Sequence, residues 1–102
     1  MLIEVLFVPG CPNHAPAVER LRKVLRSEAI IASIQEIAVK DEVMARLLKF
    51  PGSPTVRVNG RDVESKLQWS YGLACRLYSD RTGVPSIETL QRAVARAQSD
   101  QV

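Results

Sequence analysis

The side chains of this sequence able to do thiol or metal chemistry are few: two cysteines and one histidine. Cys11 and His14 stand close together in Gly10-Cys11-Pro12-Asn13-His14, and Cys75 lies far downstream in Tyr71-Gly72-Leu73-Ala74-Cys75-Arg76-Leu77-Tyr78. A cysteine acts as nucleophile or soft-metal ligand through its thiolate, and backbone N–H groups at a helix start stabilise that anion. An imidazole nearby can stabilise the thiolate as a cation; as a neutral ring it can take the thiol proton or bind a metal beside it. His14 reads equally well as a filler of a partly buried first helical turn, hydrogen-bonded to backbone. Cys75 alternates with Leu73 and Leu77 and reads first as a small buried hydrophobe. Turned toward Cys11, it would resolve a mixed disulfide or join Cys11 in holding Hg²⁺, Cu⁺ or Zn²⁺.

Other chemistries find no support. Cys11, Cys75 and His14 are fewer than the four ligands of a closed zinc site and fit no zinc spacing, so no structural metal and no cofactor is expected. There is no glycine-rich phosphate loop and no Gly-x-Ser-x-Gly elbow. Fourteen basic and eleven acidic residues are interspersed, as in Glu19-Arg20, Arg61-Asp62 and Asp80-Arg81, which is a solvated surface and not a nucleic-acid stripe. The longest apolar stretches, Val5–Pro9 and Ala29–Ala32, fall far short of the ~20 residues that cross a bilayer, so no membrane partner is expected. The N-terminus has no basic region ahead of its apolar run, and an isolated cysteine pair makes no disulfide framework; both point to the cytoplasm. Nothing in the sequence fixes an oligomeric state.

The elements that must position these residues follow from the hydrophobic pattern. Leu2 to Val8 is apolar at nearly every position, a central strand buried on both faces and ended by Pro9-Gly10. Val18, Leu21 and Leu25 then recur at helical spacing, with Glu19, Arg20, Lys23 and Arg26 outward, in a helix ending near Ser27. Pro12 suits the first helical position only if Cys11 is the cap, which leaves Pro16 in the interior. With Asn13 as cap, Pro16 takes the third position, where no intrahelical N–H is needed, and Cys11 sits in the loop just before the helix.

A second strand is expected within Ser33–Val39, although Gln35-Glu36 interrupts its alternation. Asp41 caps a short helix carrying Val43, Met44, Leu47 and Leu48, closed by Pro51-Gly52. Thr55 to Val58 reads as a strand followed by an Asn59-Gly60 tight turn. Arg61–Glu64 could return as a short strand, but the alternation of Tyr71, Leu73, Cys75 and Leu77 favours Leu73–Tyr78 as the last sheet strand, with Ser65–Ser70 as a loop. Trp69, Tyr71 and Tyr78 are expected to cover the core. Pro85-Ser86 opens a final helix with Ile87, Leu90, Val94 and Ala97 on one face. The chain therefore reads as one α/β domain over residues 1–102, in the order βαβαββα.

Gly52-Ser53-Pro54-Thr55 immediately precedes the third strand, and with Cys11 at the first strand-to-helix junction it resembles the thioredoxin superfamily. There a strand leads to Cys-x-x-Cys or Cys-x-x-Ser at a helix start, and a small residue followed by Pro-Thr enters a later strand. The sequence is similar to small bacterial stand-alone thioredoxin-like proteins with Cys-Pro-Asn-His, Gly-Ser-Pro-Thr and a later Tyr-Gly-Leu-x-Cys-Arg segment, some of them labelled alkylmercury-lyase-like. The likeness covers nearly the whole chain, and its two short motifs carry the specificity. It implies a thioredoxin-like mixed four-stranded sheet flanked by about three helices. Cys11 takes the place of the attacking cysteine and His14 that of the second cysteine. Pro54 becomes a cis-proline facing the cysteine motif, and a substrate would dock across Pro12, Ser53, Pro54 and Thr55, pairing with the Ser53 backbone.

Because His14 stands where a resolving cysteine would be, the usual dithiol cycle cannot run within the motif. The leading expectation is a thiol-disulfide oxidoreductase. Its Cys11 forms a mixed disulfide with a small thiol or protein partner, and an external thiol such as glutathione resolves it. The alternatives are a soft-metal or organomercurial binding protein using Cys11 with Cys75 or His14, and a non-catalytic interaction module.

Overall fold

The computed structural model describes residues 1–65 and 70–100, which form β1 (Leu2–Phe7), α1 (His14–Ser27), β2 (Ser33–Ala38), α2 (Glu42–Leu47), β3 (Thr55–Val58), β4 (Arg61–Asp62) and α3 (Ile87–Ser99). The protein is an α/β structure with one mixed sheet in the order β2-β1-β3-β4. β1 runs parallel to β2, with Phe7 opposite Ala38, and antiparallel to β3, with Leu6 opposite Thr55. Its central place explains why this strand is apolar at nearly every position: successive side chains point to opposite faces, and both faces are covered. Ile3 and Val5 join Leu21, Val24, Leu90 and Val94 in the core beneath α1 and α3, whereas Leu6 packs with Val39, Ala45 and Phe50 on the α2 face.

Local chemistry sets the helix ends. Asp41 and Ser86 cap α2 and α3 by accepting from the amides of Met44 and Thr89. α1 and α2 end alike: Ala29 and Lys49 have positive φ, and the next amides, of Ile30 and Phe50, reach back to the carbonyls of Leu25 and Ala45. The Arg57 guanidinium adds a positive group there, donating to Leu48 O and Lys49 O at 2.7 and 3.0 Å. Asn13 does precede α1, placing Pro16 at the third helical position, but its side chain makes no capping bond and its own backbone is already helical. The Asn59-Gly60 turn has positive φ at both residues and joins β3 to β4.

Three expectations are corrected. The fourth strand is Arg61–Asp62; among the described residues the backbone of Leu73–Tyr78 forms no ladder with the sheet and meets the lead-in to β3 in a parallel bridge between Cys75 and Ser53. In α2 the buried residue is Ala45, with Val43 and Leu47 exposed, because so short a helix lays only one stripe on the sheet. In α3, Ile87 is exposed and Thr89 lies inward with Leu90, Val94 and Ala97. Tyr78 is buried and Tyr71 exposed, while Trp69 and most of the Ser65–Ser70 loop lie outside the described residues.

The two helix phases are open to measurement. Leu21→Ala, at a fully buried site, is expected to cost about 2–5 kcal/mol in urea unfolding. Leu47→Ala is expected to stay within about 0.5 kcal/mol of the parent.

Candidate functional site

Cys11 lies in the short turn between β1 and α1, is free and partly exposed, and its amide donates to Val8 O at 2.9 Å. The adjoining helix end offers it few donors: the His14 amide is bonded to Cys11 O at 3.3 Å, and Pro16 carries no N–H. His14 continues inward from this turn. Its ring stacks on Phe7, with centroids 3.6 Å apart, and its Nε2 meets Glu36 Oε1 at 2.7 Å. Val5 pairs with Glu36 across β1 and β2, which sets that carboxylate on the same face of the sheet as Phe7. The polar Gln35-Glu36 interruption in β2 thus contains the His14 partner. When the neutral imidazole donates through Nε2–H, its Nδ1 is the unprotonated nitrogen, so Glu36 sets the tautomer as well as the ring position.

The Ser53–Pro54 peptide bond is cis, as the resemblance implies. This segment is tied to the Cys11 turn through Val8: the Val8 amide donates to Ser53 Oγ at 2.9 Å, while the Val8 carbonyl holds the Cys11 amide. On its other side Ser53 is taken by the chain itself. Its amide donates to Ala74 O, and its carbonyl accepts from the Arg76 amide, both at 3.0 Å. Gly52 permits this close approach. Its φ is +141°, and a Cβ there would stand 3.0 Å from both Ala74 O and Arg76 Cβ.

The same contacts enclose most of the expected docking surface. Ser53, Pro54 and Thr55 are all buried, and of the four residues expected to touch a substrate only Pro12 is exposed. Both backbone bonds of Ser53 go to the 74–76 segment, and Thr55 Oγ1 donates to Gly52 O at 2.7 Å. Cys75 is corrected: it is exposed, and so is Leu77, while Arg76 and Tyr78 turn inward.

Tyr78 is buried as expected, whereas Arg76 was missed in the sequence, and the two hold the segment in place. Arg76, 3% exposed, pairs with both Asp62 oxygens at 2.7 and 2.8 Å, donates to Thr55 Oγ1 and Glu64 O, and lies 4.2 Å from the Tyr78 ring centroid. Tyr78 donates its hydroxyl to Pro54 O at 2.8 Å. Burial works against the Arg76 charge, but the Asp62 hydrogen bonds and the charges around it outweigh that effect and hold the guanidinium above its ordinary range. Burial also pushes the Tyr78 phenol upward, with the Arg76 charge pulling the other way. The available signal was the Cys-Arg-x-Tyr spacing, an alternation whose inward phase is polar.

Among the described residues, no group of three or more His, Cys, Asp or Glu is placed to hold a metal ion. A cleft of about 570 Å³, lined by Val58, Arg61, Arg92, Arg96 and their neighbours, lies at the β3–β4 turn, and the Cys11 turn takes no part in it. No helix among the described residues is long and apolar enough to cross a membrane. Comparison with protein-family models, with curated proteins and with solved structures finds no match.

The Arg76 network makes two predictions. Asp62→Ala leaves a buried guanidinium without its carboxylate and is expected to cost about 3–5 kcal/mol in denaturant unfolding. Tyr78, with its folded value raised above the unfolded one, gives stability that is full below pH ~10 and is lost as the pH rises further. In a Tyr71→Phe variant, where Tyr78 is the remaining tyrosine, phenolate absorbance is expected to appear above pH ~10 and together with unfolding. Ionisation at the ordinary pH in the folded protein would contradict the buried placement.

Proposed function

We propose that this protein is a thioredoxin-like thiol-disulfide oxidoreductase of the cytoplasm that works through Cys11. A thiolate at Cys11 attacks a disulfide, forming a protein mixed disulfide and releasing one thiol. The observation that carries this reading is the placement of a free, partly exposed cysteine at the β1–α1 turn, one hydrogen-bonded residue away from the cis Ser53–Pro54 segment. The order βαβαββα and the mixed four-stranded sheet support it.

The expected partner is a small thiol or disulfide and not an extended peptide. A peptide strand docking on Ser53 needs a free backbone N–H and C=O there, and both are bonded to Ala74 and Arg76. Pro12 and the open side of the turn leave room for a small molecule at Cys11. His14, held by Glu36 and stacked on Phe7, is the residue assigned to tune the thiol.

The test is the alkylation rate of Cys11, read by mass in a Cys75→Ser background at neutral pH. Cys11 is expected to react faster than free glutathione under the same conditions, and Glu36→Ala is expected to slow it. A Cys11 rate at or below that of glutathione would overturn the reading.

A further inference from the structure

The motif around Cys11 holds no second thiol, yet the fold brings one to the same strand end. Val8 and Ser53 connect the two cysteines through hydrogen bonds of 2.9 to 3.0 Å. Cys11 N–H is held by Val8 O, Val8 N–H by Ser53 Oγ, and Ser53 is bonded to the residues on both sides of Cys75. Cys75 is thus the register partner of Ser53, the residue that lies against the end of β1.

The segment carrying Cys75 is fixed rather than loose. Arg76 and Tyr78 are each 3% exposed and anchored to Asp62, Thr55 and Pro54, so backbone alternation turns Cys75 outward. The Cys75 thiol is free and exposed, on a segment whose backbone is bonded to the residue that holds Val8. Nothing in the packing requires a cysteine at this position, because its side chain fills no part of either core cluster.

We infer that Cys75 is the resolving thiol for Cys11, which makes the protein a two-thiol reductant of low-molecular-weight disulfides. The inference rests on the proposed role of Cys11 and supplies the partner that its motif lacks. In the first step the Cys11 thiolate attacks RS–SR; the Cys11–S–S–R bond forms, and RS⁻ leaves and is protonated from water. In the second, the Cys75 thiolate attacks the Cys11 sulfur; the Cys11–Cys75 bond forms, the Cys11–S–R bond breaks and the second RS⁻ leaves. The two protein thiols lose two electrons and the disulfide gains them, so no further oxidant enters. The oxidised protein returns to the dithiol by exchange with an external thiol.

The experiment treats the reduced full chain, Cys75→Ser and Cys11→Ser with glutathione disulfide, quenches with acid, and reads intact masses and a peptide map. The parent is expected to lose two hydrogens, carry no glutathione and map to a Cys11–Cys75 bridge. Cys75→Ser is expected to accumulate one glutathione on Cys11, and Cys11→Ser to form no bridge. A parent that keeps glutathione on Cys11 as stably as Cys75→Ser, or that links to a second copy, would overturn the role of Cys75 while leaving Cys11 as the nucleophile. Absence of the Cys11 adduct in Cys75→Ser would overturn the role of Cys11 and the inference with it.

Discussion

A guanidinium removed from water must find acceptors of its own, and Arg76 finds them on three residues from two stretches of chain. Asp62 on β4 supplies both carboxylate oxygens, Thr55 on β3 a hydroxyl, and Glu64 beyond β4 a carbonyl. Such a pair adds little net stability over a well-packed apolar replacement, but breaking it is costly, so its effect is to specify an arrangement. Here it fixes the 74–78 segment across the start of β3. Tyr78 completes the anchor by donating to Pro54 O, in a site where burial keeps its phenol protonated.

From that anchor the geometry of the candidate site follows in order. With Arg76 in place, its amide and the Ala74 carbonyl close on Ser53, and Gly52 has no Cβ to prevent it. Ser53 then presents Oγ to the Val8 amide, and Val8 holds the Cys11 turn. On the opposite side of β1, Glu36 and Phe7 hold His14. Cys11 is therefore set between two braced neighbours while remaining partly open to solvent. The same bonds that build this surface occupy the Ser53 backbone, so its N–H and C=O are already paired within the chain.

Much of this was legible in the chain. The apolar run of β1, the stripe of α1, the Asp41 and Ser86 caps, the Asn59-Gly60 turn and the position of Pro16 each rest on local chemistry that a sequence displays. The Leu73–Tyr78 stretch was not legible, for a definite reason. Its alternation is real, but the buried phase holds Arg76 and Tyr78 while Cys75 and Leu77 face outward. A hydrophobicity pattern assigns Leu to the inside and Arg to the outside, and only the spatial convergence of Asp62, Thr55 and Glu64 reverses that choice. Glu36 was hidden in the same way: it interrupts a strand pattern because its partner, His14, comes from another element. Val43 and Leu47 went astray because a helix of under two turns has too few residues to reveal its buried stripe.

The chain's own 74–76 segment, held by Arg76, occupies the Ser53 backbone next to Val8, which holds the Cys11 turn. Native-state amide exchange at Val8, Ser53 and Arg76 tests it most directly, measured in the parent and in Arg76→Met. All three amides are expected to be protected in the parent, and Ser53 and Arg76 to lose protection in the variant well before the core amides of β1 do. Free exchange at Ser53 and Arg76 in the folded parent would contradict it.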